Sequence, residues 1–243
     1  MRAKVLRTPT GIEGLDAMIG GGIPRGRIVL VSGGPGTGKT TIAIQYLVNG
    51  VLKYGERGIF VSLDEPKDRI LEEASYYGWD FEKLHNEKKI AFIDGSPYIR
   101  GHKVQRFKLG QTIRDTAQAI QAKRISVDTM AALTLQYPDI VQRREVILEL
   151  FENVRETGAT CIITDETREG QSRPILLEEY LADGVIVLQS SQIERKRIRT
   201  IGVEKMRGTA IDDQLRPYIL DEDGFSIVSD KDIFTYAARL LTK

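Results

Sequence analysis

The chain has 243 residues, with 35 Lys+Arg against 34 Asp+Glu and a formal net charge of +1. At 41% hydrophobic and 28% charged it has the composition of a folded protein, which excludes global disorder, and the balanced charge excludes a whole-protein electrostatic footprint for nucleic acid or an anionic membrane. A single cysteine, Cys161, excludes an internal disulfide, a cysteine-rich zinc site and an iron–sulfur cluster, and no apolar run approaches the roughly 18–20 residues that span a bilayer, so the expectation is one cytoplasmic domain over residues 1–243 with no membrane partner.

Short apolar runs alternate with amphipathic stretches along the chain. Residues 28–32 are the first candidate for a buried strand. Gly33-Gly34-Pro35-Gly36-Thr37-Gly38-Lys39-Thr40 follows at once, a full match to G-x-x-x-x-G-K-[ST], and it opens a helix carrying Ile42, Ala43, Tyr46 and Leu47. Glycines at this spacing let successive backbone N–H groups turn inward around phosphate oxygens at a helix N-terminus. Gly34, Pro35, Gly36, Thr37, Gly38, Lys39, Thr40 and Thr41 are therefore read as nucleotide-binding. Lys39 would neutralise the β- and γ-phosphates of ATP, and the Thr40 hydroxyl would ligate Mg²⁺. The strand–loop–helix context disfavours the alternative, a glycine-rich turn that binds nothing.

The next strand candidate, residues 58–64, runs into Asp64 and Glu65. A carboxylate there can orient or deprotonate the water that attacks a γ-phosphate, or it can simply cap the helix beginning near Pro66. That helix shows an apolar stripe of Ile70, Leu71, Ala74 and Tyr77. A strand over residues 90–94 and a helix with Ile113, Ala117 and Ile120 on one side come next. Residues 124–128 form a hydrophobic strand of the Walker-B type ending in Asp128, whose carboxylate would hold Mg²⁺ through water. Ile147, Leu150, Phe151 and Val154 mark a further helix, stopped at Gly158. Strands over 159–164 and 184–188 complete a wound α/β core. None of these runs alternates with polar residues, so they predict a parallel sheet covered on both faces.

Beyond the core, residues 189–192 read as a turn into a return strand over 193–205. Short strands over 217–220 and 225–228 flank a turn at 221–224, and an amphipathic helix spans 231–241. Two stretches are basic: 99–108, with Arg100, Lys103, Arg106 and Lys108, and 195–199, where Arg195, Arg197 and Arg199 fall on one strand face. A solvated or subunit-pairing surface ranks ahead of nucleic-acid binding for the second.

Further segments carry a resemblance. They are Pro9-Thr10-Gly11-Ile12-Glu13-Gly14-Leu15-Asp16, Gly21-Gly22-Ile23-Pro24-Arg25-Gly26, Gly78-Trp79-Asp80-Phe81, Leu181-Ala182-Asp183-Gly184-Val185-Ile186-Val187-Leu188 and Glu204-Lys205-Met206-Arg207-Gly208-Thr209. With the phosphate loop, they make residues 8–228 resemble a KaiC-type ATPase domain of the RecA/RadA superfamily of P-loop NTPases. The resemblance implies a RecA-like core with a mainly parallel, helix-covered sheet and a C-terminal β-hairpin extension. It further implies a homo-hexameric ring with ATP or ADP at subunit interfaces. Asp64 and Glu65 fall on the family's paired catalytic carboxylates, usually Glu-Glu, and Lys205 and Arg207 on the pair that reaches the neighbouring subunit's γ-phosphate. By the same carry-over, Tyr76, Met206, Thr209, Asp221 and Glu222 border the base and ribose. Glu178-Glu179-Tyr180 stands where autophosphorylating members carry adjacent Ser and Thr, so a Ser/Thr autokinase cycle is not expected.

The expected activity is Mg²⁺-dependent ATP hydrolysis that drives or times a conformational change, directed at an unidentified protein partner. The alternative is a RadA-paralogue-like, nucleic-acid-binding ATPase of DNA recombination or repair. The stretches that would then meet DNA are residues 129–142, which contain no Lys or Arg, and 165–174, where Arg168 and Arg173 face Asp165, Glu166 and Glu169.

Overall fold

The fold follows from where the apolar runs can be buried on both sides. The computed structural model describes residues 5–99, 103–167, 176–193 and 196–228. In chain order the elements are β1 (Arg7–Thr8), α1 (Leu15–Met18), β2 (Ile23–Pro24), β3 (Ile28–Gly33), α2 (Lys39–Tyr54), β4 (Gly58–Ser62), α3 (Lys67–Tyr76), α4 (Phe81–Asn86), β5 (Ile90–Asp94), α5 (Ser96–Ile99) and α6 (Lys103–Ile120). Then come β6 (Arg124–Asp128), α7 (Met130–Thr134), α8 (Ile140–Glu156), β7 (Thr160–Glu166), α9 (Leu177–Leu181), β8 (Gly184–Ile193), β9 (Lys196–Met206), β10 (Arg216–Asp221) and β11 (Gly224–Ile227).

Among the described residues the main sheet has nine strands, in the order β11-β10-β9-β8-β3-β7-β6-β4-β5. From β8 to β5 every pairing is parallel, whereas β9, β10 and β11 extend the β8 edge antiparallel. Successive side chains of β3 feed opposite cores, which is why its sequence shows no polar alternation. Val29 and Val31 pack with Ile42, Tyr46, Phe60 and Ile162 on the α2 side. Ile28 and Leu30 pack with Ile59, Ile125, Ile147 and Phe151 on the side of α6 and α8. The α/β core with a mainly parallel sheet and a hairpin extension is what the sequence predicts.

The chain leaves β3 through α2 and returns in β4, beyond β7 and β6, while β8 lies on the other side of β3. The carboxyl end of β3 therefore opens at a topological switch point, the place where open α/β sheets form a crevice. One polar feature is built into the core beside α2. The Arg124 side chain is fully buried, donating from Nε to Glu56 Oε2 at 2.7 Å and from Nη1 to the Tyr46 carbonyl at 3.0 Å. Gly50 makes room for it, since a Cβ there would stand 2.4 Å from Arg124 Cδ.

Several strand boundaries differ from the sequence reading, two of them by more than a residue at points that matter for the site and the hairpin. Residues 189–192 are strand, not turn: β8 continues to Ile193, with Gln189 opposite Thr200 and Gln192 opposite Arg197. Their Ser and Gln side chains read as a turn, but ladder pairing with β9 outweighs that local preference. The strand expected over 58–64, β4, ends at Ser62; the Leu63 N–H still bonds the Asp128 carbonyl of β6 at 2.6 Å, and Asp64 and Glu65 follow outside the strand. The helix expected over 231–241 lies outside the described residues, as do Arg100, Arg168, Arg173 and Arg195. No helix among the described residues is long and apolar enough to cross a membrane.

Candidate active site

The phosphate loop joins β3 to α2 at the switch point. Gly36 and Gly38 hold φ of 70° and 88°, a region that favours glycine, so the loop can curl before the helix starts at Lys39. Thr37 is buried and donates to the Gly34 carbonyl at 2.8 Å, and Lys39 Nζ donates to the same carbonyl at 3.0 Å. The ammonium thus sits folded into the curl of the loop. Burial holds the Lys39 pKa down, opposed by the surrounding carboxylates of Glu166, Asp128 and Asp165.

Asp128 ends β6 and is 6% exposed. Its Oδ2 accepts from Thr40 Oγ1 at 3.0 Å and its Oδ1 accepts from Thr164 Oγ1. Burial raises its pKa, while the two hydroxyls and Lys39 oppose the rise. A hydroxyl and a carboxylate on adjoining elements, both hard oxygen donors, suit Mg²⁺, which keeps waters and phosphate oxygens as its other ligands. Among the described residues no group of three or more His, Cys, Asp or Glu forms a dedicated metal cage. The residues present therefore fit a metal that arrives with a nucleotide.

Asp64 and Glu65 line an open cleft of about 720 Å³ with Glu73, Tyr76 and Tyr77. Glu65 is the member of the pair that feels Asp128 directly: its pKa is raised by partial burial, then by Asp128 and Asp64. Tyr76 is exposed at the cleft edge. Thr41 points to the same side, donating to Glu73 Oε1 at 3.0 Å.

The C-terminal hairpin closes over the other flank of the loop. Tyr218 donates from its hydroxyl to the Thr37 carbonyl at 2.7 Å, and Gln45 clasps Phe225 through both its backbone N–H and carbonyl. Asp221 and Glu222 are exposed at the hairpin turn, next to Leu220, which packs against Gly38. Lys205, Met206, Arg207 and Thr209 lie elsewhere. Met206 pairs with Gly184, which pairs with Val29, so this segment is level with the start of β3. From Val29 to Gly34 is roughly 16 Å along the strand. Met206 is buried against Gly184, and Thr209 Oγ1 accepts from Arg7 at 3.1 Å. Lys205 Nζ donates to the carbonyls of Ala182 at 2.6 Å and Glu179 at 2.9 Å. Arg207 is exposed.

Sequence reasoning missed Thr164, Asp165, Glu73 and Tyr218. An Asp directly after the apolar strand 159–164 is the same signal that singled out Asp128, so Asp165 was findable. The others join the site through tertiary contacts alone. Burial, with Glu178 next in effect, pushes the Asp165 carboxyl up to about 8. Its folded pKa thus exceeds the ordinary 3.8, and the nucleotide-free protein should lose stability as pH rises from about 4 to about 8, because the folded state must release a proton that the unfolded state has already lost. Asp165→Asn keeps the neutral shape and removes that loss. Thermal unfolding should place its midpoint several °C above the wild type near pH 9, with the gap closing near pH 5.

A parallel sheet with a phosphate loop at its switch point and a Walker-B carboxylate two strands away defines a RecA-like P-loop nucleotide-binding protein. The family model described as "ATPase: KaiC" matches residues 8–232, and the chain belongs to that KaiC ATPase family. The circadian clock oscillator protein KaiC of Prochlorococcus marinus is 36% identical over 231 residues, 92% of this chain and 46% of that protein. That of Parathermosynechococcus lividus is 38% identical over 226 residues, 90% of this chain and 41% of that protein. The chain thus spans about half the length of the curated relatives it matches. A crystal structure of a KaiC-like protein from the hyperthermophilic archaeon Pyrococcus horikoshii superposes with a TM-score of 0.82 at 36% identity, covering 92% of this chain and 99% of that one.

Proposed function

We propose that this chain hydrolyses ATP to ADP and phosphate, with Mg²⁺, at sites completed between copies of itself in a homo-hexameric ring. The observation that carries the reading is how the machinery is divided. Lys39, Thr40, Asp128 and Glu65 gather at one end of the sheet, while Lys205 and Arg207 lie at the other, roughly 16 Å away along β3. One copy cannot bring both groups to a single γ-phosphate, but two copies side by side can.

In this reading the N–H groups of residues 34–40 would cradle the phosphates, Lys39 would turn from the Gly34 carbonyl to the β- and γ-phosphates, and Thr40 and Asp128 would hold Mg²⁺. The metal supplies charge neutralisation at the phosphates when bound. Glu65 is favoured as the group that takes up the proton of the attacking water, since partial burial, and after it the charges of Asp128 and Asp64, raise its pKa. Tyr76, Asp221, Glu222 and Thr41 border the nucleotide of their own copy; Met206 and Thr209 belong to the end that faces the neighbour's. The segment 129–142 that follows β6 exposes Leu135, Ile140 and Val141 and carries no cation, which favours an ATPase acting on a protein over a nucleic-acid-binding module.

Multiple-turnover phosphate release with ATP and Mg²⁺ tests the reading, with native mass spectrometry giving ring size and bound nucleotide. Glu65→Gln is expected to spare ATP binding and lower turnover by about 10²-fold or more, and Asp64→Asn to cost less. A double variant that turns over at the wild-type rate would show that both carboxylates only cap α3.

A further inference from the structure

Asp183, between α9 and β8, is 3% exposed and surrounded by arginines. Its carboxylate accepts from Arg27 Nη1 at 3.1 Å and from the Ile28 N–H at 3.2 Å. It lies 3.7 Å from Arg155 Nη2 and 3.9 Å from Arg207 Nη1, and its backbone carbonyl accepts from the Arg207 N–H at 2.9 Å. One buried carboxylate therefore serves three guanidiniums unequally. Arg27 is within hydrogen-bond distance, whereas Arg207 is beyond it and its side chain is 55% exposed.

That inequality has a consequence. At 3.9 Å, with the guanidinium half-exposed to solvent, the Asp183–Arg207 pair is a weak one. It is enough to bias the direction of a flexible side chain and too little to retain it against a phosphate. A buried carboxylate left without cations would be costly, but Arg27 and Arg155 keep Asp183 compensated when Arg207 leaves. Lys205, next to Arg207, is already held by the carbonyls at the end of α9. Arg207 also opens, with Arg25 and Arg27, into a cleft of about 450 Å³ whose described lining includes no carboxylate. An anion can enter there.

We propose that Asp183 is the positioning residue for Arg207: it aims the guanidinium at the γ-phosphate held by the next copy and gives it up when the phosphate arrives. Lys205 fixes the end of α9 beneath it and stays there. The proposal rests on the reading that Arg207 acts across the interface, and the test separates the two.

Asp183→Asn keeps an acceptor for the Ile28 N–H and removes the charge. Rings of this variant should bind ATP normally, with KM little changed, and lose about 10²-fold in kcat, the loss that a misplacement of about 1 Å can cause. A general folding defect would not follow the rule of complementation; a finger defect must. Asp183→Asn subunits keep an intact phosphate loop, and Lys39→Ala subunits keep an intact Arg207, so mixed rings of the two should regain activity. Mixed rings of Asp183→Asn and Arg207→Ala should not, because both lack a working finger. If Asp183→Asn fails to assemble, Asp183→Glu, which displaces the charge by one methylene, is read by the same two mixtures with a smaller expected loss. Wild-type kcat, or no recovery with Lys39→Ala while Arg207→Ala does recover with it, overturns the role of Asp183. No recovery of Arg207→Ala with Lys39→Ala overturns the trans reading itself, and this proposal with it.

Discussion

Arg207→Ala is expected to leave ATP binding intact and to lower hydrolysis by about 10³–10⁵-fold, the range for losing a cation that meets the transferring phosphoryl group. Binding is spared because the groups proposed to hold the phosphates and metal in its own copy, from Gly34 to Thr41 with Asp128, lie at the far end of the sheet. Hydrolysis is lost because negative charge on the equatorial γ-oxygens then develops without a guanidinium to meet it. The measurement pairs isothermal titration with ATP–Mg²⁺ against steady-state phosphate release, in rings whose assembly is confirmed. A variant that hydrolyses at the wild-type rate would leave Arg207 as a surface cation paired loosely with Asp183. Lys205→Met gives a contrast: with its ammonium on α9 carbonyls, it should act through the placement of that helix end.

Lys39→Ala should remove measurable ATP binding. Truncating one partner of a desolvated charge pair costs about 2–5 kcal/mol, or roughly 30- to 5,000-fold in affinity. The local charges push the effect toward the upper end. Lys39 is the cation beside Glu166, Asp128 and Asp165, so the variant leaves this acidic cluster without compensation as a triphosphate arrives, even with the Asp165 carboxyl largely protonated near neutral pH. Isothermal titration decides this directly, and wild-type affinity would refute the phosphate-loop assignment. The variant should still fold, since the loop keeps its Thr37–Gly34 bond and its Tyr218–Thr37 clamp.

The phosphate loop, Asp128 and the apolar strands could be read from the sequence because each is a local pattern. Glycine spacing dictates which backbone angles are open, and an unbroken apolar run has to be buried on both faces. Asp64 and Glu65 were readable as candidates but not as unequal partners. Only the folded chain lets the charge of Asp128, after partial burial, raise the Glu65 pKa. The family likeness pointed to Lys205 and Arg207 as a pair. Their division of labour depends on what lies beneath them: α9 carbonyls under one and a shared carboxylate beside the other.

By itself, the sequence determined the class of the fold, the phosphate loop and the carboxylate that would hold the metal, since short-range geometry and hydrophobic burial suffice for those. Strand order decided the rest. Placing β7 between β6 and β3 put Thr164 on Asp128 and Asp165 near Lys39, and folding β10 back over the loop put Tyr218 on Thr37. Running β9 antiparallel to β8 carried Arg207 away from the loop to Asp183 at the opposite end of the sheet. Residues far apart in sequence meet only through such pairings, and no local propensity encodes them.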